Sequence, residues 1–140
     1  HRIRLRKRAG SGLTAAQAAP FDANCGERNV WFYERVLGAR VVHADSDHRV
    51  LQSPDVQLII HAIPAQFAET ISITVPPEPR EEQAIKPFFC VESLSEAAQI
   101  AQECGGSVCG PVWPGPGMQV RNLCDPEGNI IHLREYAPEP

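Results

Sequence analysis

The sequence lacks any long hydrophobic run. No apolar stretch approaches the roughly 18 residues that a membrane-spanning helix needs, and no apolar segment typical of a signal peptide follows the charged N-terminus. We therefore expect a cytoplasmic protein without a membrane partner. The 140 residues are 43% hydrophobic, which is enough for one domain to bury a core without disulfides or metal.

Cysteine is present without a pairing pattern. An odd number of cysteines with no Cys-x-x-Cys spacing is more typical of a reducing compartment than of a disulfide framework. We expect them to be small buried or half-buried thiols. The five positions are Cys25, Cys90, Cys104, Cys109 and Cys124.

Positive charge is scarce outside the N-terminus. The first eight residues carry five of the 13 basic side chains, which leaves eight basic against 17 acidic residues, a net charge of −9, on the rest of the chain. A basic arm could contact nucleic acid or an acidic partner. No aromatic side chain alternates with these arginines as a nucleic-acid platform requires, so we expect no nucleic-acid binding. The chain has no initiator Met, and we interpret residues 1–12 as a basic arm or as residues foreign to the natural chain.

The first half of the chain predicts a β-α-β-β-β module at residues 13–63. The first strand is expected at residues 13–22. Asn24 and Glu27 have the spacing of a capping box, and Gly38 marks the end of the following helix. Turn signals then separate three strands. These strands are expected at residues 40–44, 49–52 and 56–63.

The second half predicts the same order at residues 86–136. Ser93 and Glu96 form a second capping box, and Gly105 marks the helix end. The strands are expected at residues 87–91, 107–113, 118–124 and 129–134. Residues 64–85 join the two modules, with an extra strand at 70–75 and a Pro-rich extended segment at 76–79. Residues 137–140 form a tail.

The two modules are an internal repeat. Ile59-Ile60-His61 falls on Ile130-Ile131-His132, 71 positions later, and Gly38 falls on Gly105, 67 positions later. Neither half can cover both faces of a four-stranded sheet. We therefore expect one α+β domain at residues 13–136, with helices outside and two curved sheets enclosing a cleft.

Strand alternation predicts which side chains face that cleft. Residues of equal parity share one face of a strand, so the last strand directs Ile130, His132 and Arg134 the same way. A cleft carrying imidazole, guanidinium and ammonium groups suits an anionic or polarised small molecule. Alternatively, Phe88 packs within the sheet and Arg134 pairs with Glu135 or Glu92. The predicted ligand-binding residues are Gln57, His61, Trp113, His132 and Arg134, together with Lys86 and Phe88, which the family resemblance given below implies to face the cleft.

Two motifs resemble those of a known group of proteins. Phe-Tyr-Glu-Arg-Val-Leu-Gly at residues 32–38 and Asp-Pro-Glu-Gly-Asn at residues 125–129 occur in the right order on paired modules. This arrangement resembles the vicinal oxygen chelate superfamily, which includes glyoxalase I, bleomycin- and fosfomycin-resistance proteins and extradiol dioxygenases. The resemblance implies the glyoxalase/bleomycin-resistance fold and a homodimer, and in members that exchange modules the corresponding crossover here would be at residues 76–79.

The resemblance also implies a divalent metal held by the first and last strands of each module. His132 occupies one such position, and His61 or Gln57 the matching one. The first strand of the first module has Gln17 or Ala18 at the ligand position. The first strand of the second module has Lys86, whose ammonium has no lone pair to donate. Half of the implied ligand set is therefore missing. His43 and His48 flank a hairpin turn and receive no role.

The sequence favours a small-molecule-binding protein without a complete metal site and assigns no catalytic residue. The alternative is a metal-dependent lyase, isomerase or dioxygenase in which His61 and His132 bind the ion, helped by Gln57 or water. A third hypothesis is an interaction protein that acts through the basic arm and an oligomer interface.

Overall fold

The computed structural model describes residues 26–138. Three predictions therefore fall wholly or partly outside the described residues. They are the basic arm, the first strand with Gln17 and Ala18, and the first capping box. Among residues 26–138, no helix is long and apolar enough to cross a membrane.

The first module contains one helix and an antiparallel sheet. Helix α1 spans Gly26–Leu37 and ends before Gly38, whose φ of 63° is the left-handed conformation expected after a helix. The strands follow in the order β1-β2-β3, and their positions confirm the predicted strands to within two residues. Their bounds are Arg40–Ala44 for β1, His48–Gln52 for β2 and Gln57–His61 for β3.

The connecting segment differs from its prediction. It contains a short helix, α2, at Ala65–Ala68, and the strand predicted at residues 70–75 does not form. The amides of Thr70 and Ile71 donate to the carbonyls of Phe67 and Ala68 in α2 instead of pairing with a strand. The later part of the segment lies against the second module, where the side-chain amide of Gln83 both donates to and accepts from the backbone of Ile130 at 2.9 Å.

The second module contains one helix and a five-stranded sheet. Strand β4 runs parallel to β8, which is antiparallel to β7, and β7 in turn pairs with both β5 and β6. The strand bounds are Phe88–Cys90 for β4, Ser107–Val108 for β5, Trp113–Gly115 for β6, Met118–Cys124 for β7 and Ile130–Tyr136 for β8. Helix α3 spans Leu94–Glu103 and lies between β4 and β5.

Local capping signals set both ends of α3. The Ser93 hydroxyl accepts from the amide of Glu96 at 3.2 Å, as the capping box predicts. At the other end Gly105 has a φ of 86°, and Gly106 donates to the carbonyl of Ala101 at 2.8 Å. This 6→1 bond is the Schellman motif, which satisfies a carbonyl of the last helical turn.

The prediction of a single strand at residues 107–113 is wrong, because this segment forms two strands, β5 and β6. Pro111 lies in the gap, and a residue without an N–H cannot continue a strand ladder. In this gap the backbone carbonyl of Gly110 accepts a hydrogen bond from the side chain of Arg121 at 3.1 Å. The irregular segment also brings Cys109 to Cys124, and the two form a disulfide, so the expectation of thiols is wrong at these two positions. Cys90 and Cys104 are thiols.

The two modules share one hydrophobic core. Helices α1 and α3 pack against each other, and Gly106 approaches Phe32 so closely that a Cβ would collide with its ring. At the rim of this contact Arg35 pairs with Glu103 at 2.8 Å. The largest completely buried apolar side chains come from both modules. They are Phe32, Val36, Leu37, Leu51, Val91, Leu123, Ile131 and Leu133.

Candidate ligand-binding site

Alternation along β8 and β3 separates core residues from candidate site residues. In β8, Ile131 and Leu133 are fully buried in the core, whereas His132 and Arg134 are half-buried on the opposite face. In β3, Leu58 and Ile60 pack against the core. The intervening Gln57, Ile59 and His61 are exposed. Each strand therefore directs its candidate side chains away from the helices.

The position of β8 depends on the buried turn before it. The carboxylate of Asp125 is 1% exposed and accepts hydrogen bonds from the Tyr33 hydroxyl at 2.7 Å and from the Asn129 side chain at 2.9 Å. It also accepts from the amides of Glu127 and Asn129 at 2.9 and 3.0 Å. Burial raises the pKa of Asp125 despite these donors, and it raises the pKa of Tyr33 as well. The turn is therefore fixed to α1.

The strand register groups the candidate residues in rows across the sheet. Phe88, His132 and Asn122 are neighbours on β4, β8 and β7. The next row contains Arg134 and Val120, and β6 extends it by pairing Trp113 with Val120. Side chains of directly paired residues lie on the same face of a sheet. Trp113 is thus on the same face as Arg134, two strands away.

His132 is held as a neutral imidazole. Its Nδ1 lies 3.0 Å from the side-chain oxygen of Asn122, and because a carbonyl oxygen can only accept, Nδ1 carries the proton. Partial burial lowers the pKa of His132, and the nearby positive charges of Arg134 and Lys86 lower it further. The Nε2 atom therefore keeps its lone pair near neutral pH. The ring also meets that of Phe88 edge-on, with centroids 6.1 Å apart.

Arg134 stacks on the aromatic ring beside it. Its guanidinium carbon lies 3.9 Å from the ring centroid of Phe88, a cation–π contact. Its Nε is buried and has no hydrogen-bond partner within residues 26–138. Glu135, one of the two predicted acidic partners, instead accepts from the amide of Leu94 at 2.8 Å, at the start of α3. One donor of the guanidinium is therefore unsatisfied within the described residues.

The structure brings together only part of the predicted set. Lys86, Phe88, His132 and Arg134 form one group, with Trp113 further along the same face. Gln57 and His61 lie on the other sheet, and His61 contacts the carbonyl of Ala62 at 3.3 Å. No hydrogen bond, ion pair or ring contact within the described part of the chain joins Gln57 or His61 to the β8 group.

The described residues do not fit the divalent metal that the resemblance implies. In residues 26–138, the one group of three or more His, Cys, Asp and Glu side chains close enough to hold an ion together is His43, Asp45 and His48. His61 and His132 lie on different sheets. The positive charges of Lys86 and Arg134 that lower the pKa of His132 would also repel a cation. The environment of His132 suits an anion.

Sequence reasoning missed Asn122, which orients His132. The signal was present, because the turn at residues 125–129 fixes the pairing of the strands on either side. Counting outward from that turn places Asn122 opposite His132.

Several solved structures share this fold. A glyoxalase-related enzyme from Fulvimarina pelagi has a TM-score of 0.55 and 18% identity, over 84% of this chain and 83% of that one. A glyoxalase/bleomycin resistance protein/dioxygenase family enzyme from Burkholderia phytofirmans PsJN has a TM-score of 0.58 and 17% identity, over 81% and 92%. The fosfomycin resistance protein FosX from Mesorhizobium loti gives 0.55 and 18%, over 78% and 80%.

The chain therefore has the glyoxalase/bleomycin-resistance fold, and the resemblance to the vicinal oxygen chelate superfamily is confirmed at the level of the fold. No protein-family profile matches the sequence. No curated protein matches it significantly either. Because this fold hosts many reactions, function has to be argued from the site.

Proposed function

We propose that this protein binds a small anionic or polarised molecule in the cleft between its two modules, with Arg134 as the anchor. Lys86 adds a second positive charge, and the rings of Phe88 and Trp113 supply apolar surface. His132 offers its Nε2 lone pair to a hydroxyl or N–H group of the ligand. Gln57 and His61 contact the ligand from the opposite sheet.

The observation that carries this proposal is the state of Arg134. A buried N–H without a partner costs roughly 1–3 kcal/mol, and the Nε of Arg134 is such a group within the described residues. Arg134 as a whole is only half-buried, so a carboxylate, phosphonate or sulfonate that reaches its guanidinium neutralises the charge, and a small shift of the side chain brings the buried Nε–H onto the same anion and removes this cost. Stacking on Phe88 holds the guanidinium plane in position before the ligand arrives.

The charges around His132 support binding over metal-dependent catalysis. The cationic surroundings of His132 favour an anionic ligand over a metal ion. A lyase, isomerase or dioxygenase built on His61 and His132 has no comparable observation in its favour.

A fluorescence titration with 8-anilinonaphthalene-1-sulfonate tests the proposal. This dye combines an anionic sulfonate with aromatic rings, and its emission increases on apolar surfaces. Replacing Arg134→Gln removes charge-assisted hydrogen bonds of about 1.5–3 kcal/mol, so the dissociation constant should rise roughly tenfold to a hundredfold. Arg134→Lys should retain part of the affinity, since it keeps the charge but not the planar donor group.

Arg40→Gln is the matched control. Arg40 is an exposed arginine on β1, in the sheet of the first module, so this variant loses the same charge away from the β8 group. Equal dye affinity for the Arg134→Gln and Arg40→Gln variants would overturn the assignment of Arg134 as the anchor.

A further inference from the structure

A group of nitrogen and oxygen ligands lies at the turn between β1 and β2. Nε2 of His43 is 3.1 Å from one carboxylate oxygen of Asp45, and Nδ1 of His48 is 2.8 Å from the other. One ligand atom from each of the three residues lies within 4.8 Å of the other two. Asp47 adds a second carboxylate oxygen 2.8 Å from Nδ1 of His48.

The turn holds this group in place through its backbone. One oxygen of Asp45 accepts from the amides of Asp47 and His48, both at 3.0 Å, which fixes the carboxylate as an Asx turn. The carbonyl of Asp45 accepts from Arg49 at 2.6 Å. Arg49 is 3% exposed and also pairs with Glu27 of α1 at 3.1 Å. The turn is therefore tied to the helix behind it.

We propose that His43, Asp45 and His48 form a binding site for a divalent transition-metal ion, with Zn²⁺ as the best match. Two imidazole nitrogens and one carboxylate oxygen are a common zinc ligand set. Bonds of about 2.0–2.1 Å in a tetrahedron place the ligand atoms roughly 3.3 Å apart. The spacings of 3.1 and 2.8 Å run to different oxygens of Asp45, and one ligand atom from each residue lies within 4.8 Å of the other two, so side-chain rotations would bring all three residues onto one ion.

The remaining coordination position would be taken by water or by Asp47. Because His43 is on β1 and His48 is on β2, the ion would bridge two strands and stabilise the hairpin. The site does not include His132 or Arg134, so it is independent of the proposed binding function. His61 lies opposite His48 in the β2–β3 register, beside the group but not part of it.

Calorimetric titration of the full chain with Zn²⁺, after chelator treatment and dialysis, tests the proposal. We expect one equivalent to bind. The His43→Ala and His48→Ala variants should each lose at least about tenfold in affinity, since even outer-shell changes cost roughly 10–100-fold. The His132→Ala variant should bind as the wild type does.

The Asp45→Asn variant separates loss of the ligand from loss of the fold. The Asn side-chain oxygen can still accept hydrogen bonds from the two backbone amides of the turn, while the carboxylate charge is lost. This variant should also weaken binding by at least about tenfold, by the same ligand-loss argument. In wild-type protein, substoichiometric Zn²⁺ should shift the NMR signals of the His43 and His48 rings before that of His132. Undetectable binding, binding unchanged in a His43→Ala/His48→Ala double variant, or binding abolished by His132→Ala would each overturn the proposal.

Discussion

Tyr33 and Asp125 connect the two sequence motifs on which the family resemblance was based. The tyrosine belongs to the motif in α1, and the aspartate begins the turn before β8. Their side chains meet at 2.7 Å in the buried region between helix and sheet. Neither motif by itself indicates this contact, because the two residues are 92 positions apart. The bond fixes the turn that sets the register of His132 and Arg134.

We expect this contact to contribute strongly to stability. Tyr33→Phe removes a hydrogen bond to a charged group and should lower the free energy of unfolding by about 1.5–3 kcal/mol. Asp125→Asn should cost at least as much, because an amide cannot accept from all four donors that the carboxylate serves. Urea unfolding of both single variants and the double variant gives the coupling between the two residues. Strictly additive losses would show that the bond is energetically unimportant.

His132 should titrate below its usual range. Partial burial and the charges of Arg134 and Lys86 lower its pKa, and an NMR titration of the ring signal measures it. Lys86→Gln should raise the pKa toward the ordinary value of 6.5, whereas Arg40→Gln should leave it unchanged. A wild-type pKa at or above 6.5 would contradict the proposed cationic environment.

The same shift has a consequence for stability. Between the lowered pKa of the folded state and the ordinary value, the unfolded chain binds the proton more readily than the folded chain does. The free energy of unfolding should therefore decrease as pH falls through that window. The His132→Ala variant should lack this component of the pH dependence.

At individual positions, parity along a strand indicated which side chains face the core and which face the opposite side of the sheet. It correctly separated His132 and Arg134 from the core residues Ile131 and Leu133. It gave no indication that His43 and His48 meet around Asp45, because they lie on different strands joined by a turn. Contacts of that kind depend on turn geometry, which the residue types indicate only in outline.

Among the secondary-structure elements, those with local signals were predicted best. Helix α3 has a capping residue and a terminal glycine, and its bounds followed from both. Residues 70–75 have suitable composition for a strand but no neighbouring strand to pair with, and β5 and β6 are separated where a proline interrupts the pairing. These errors depend on tertiary context, which local propensity does not contain.

The turn before β8 also holds the segment that connects the modules. The amide of Arg80 donates to the carbonyl of Gly128 at 2.9 Å. A Cβ at Gly128 would collide with the backbone carbonyl of Glu78. Gly128 is therefore required both for its φ of 86° and for this close approach.

Gly128→Ala should consequently destabilise the protein more than Gly117→Ala. Both glycines have positive φ, but a Cβ at Gly117 meets nothing within 4 Å. The Gly117 variant should show only the backbone strain of about 1 kcal/mol, and the Gly128 variant should lose at least about another 1 kcal/mol through steric overlap. Thermal and urea unfolding measure the difference. Equal losses would show that the connecting segment moves away freely.

In the whole molecule, the internal repeat was the most informative feature. It predicted two modules of the same element order, and the described residues of the second module follow that order except that the strand after the helix is split into β5 and β6. The sequence could not show how the modules join. The shared core depends on the packing of α1 against α3, where Gly106 makes room for Phe32. Such a fit between distant residues has no periodic signature.

A shared core predicts that the two modules unfold together. The chain has two tryptophans, Trp31 in α1 and Trp113 in β6, so each module carries its own fluorescent reporter. The single-tryptophan variants Trp31→Phe and Trp113→Phe should unfold in urea with coincident transitions, also by circular dichroism. Both rings are about two-fifths exposed, so the substitutions should perturb the core little. Separate midpoints would show two independent folding units.

The central proposal is that Arg134 binds an anionic ligand and that its Nε–H thereby gains a hydrogen-bond acceptor. The most direct measurement is the ¹⁵N–¹H NMR signal of that group, assigned by its disappearance in the Arg134→Lys variant and followed during titration with 8-anilinonaphthalene-1-sulfonate. We predict a saturable shift whose midpoint matches the fluorescence titration, while the Nε–H signal of Arg40 stays in place. A dye that saturates the protein without moving the Arg134 signal would contradict the account.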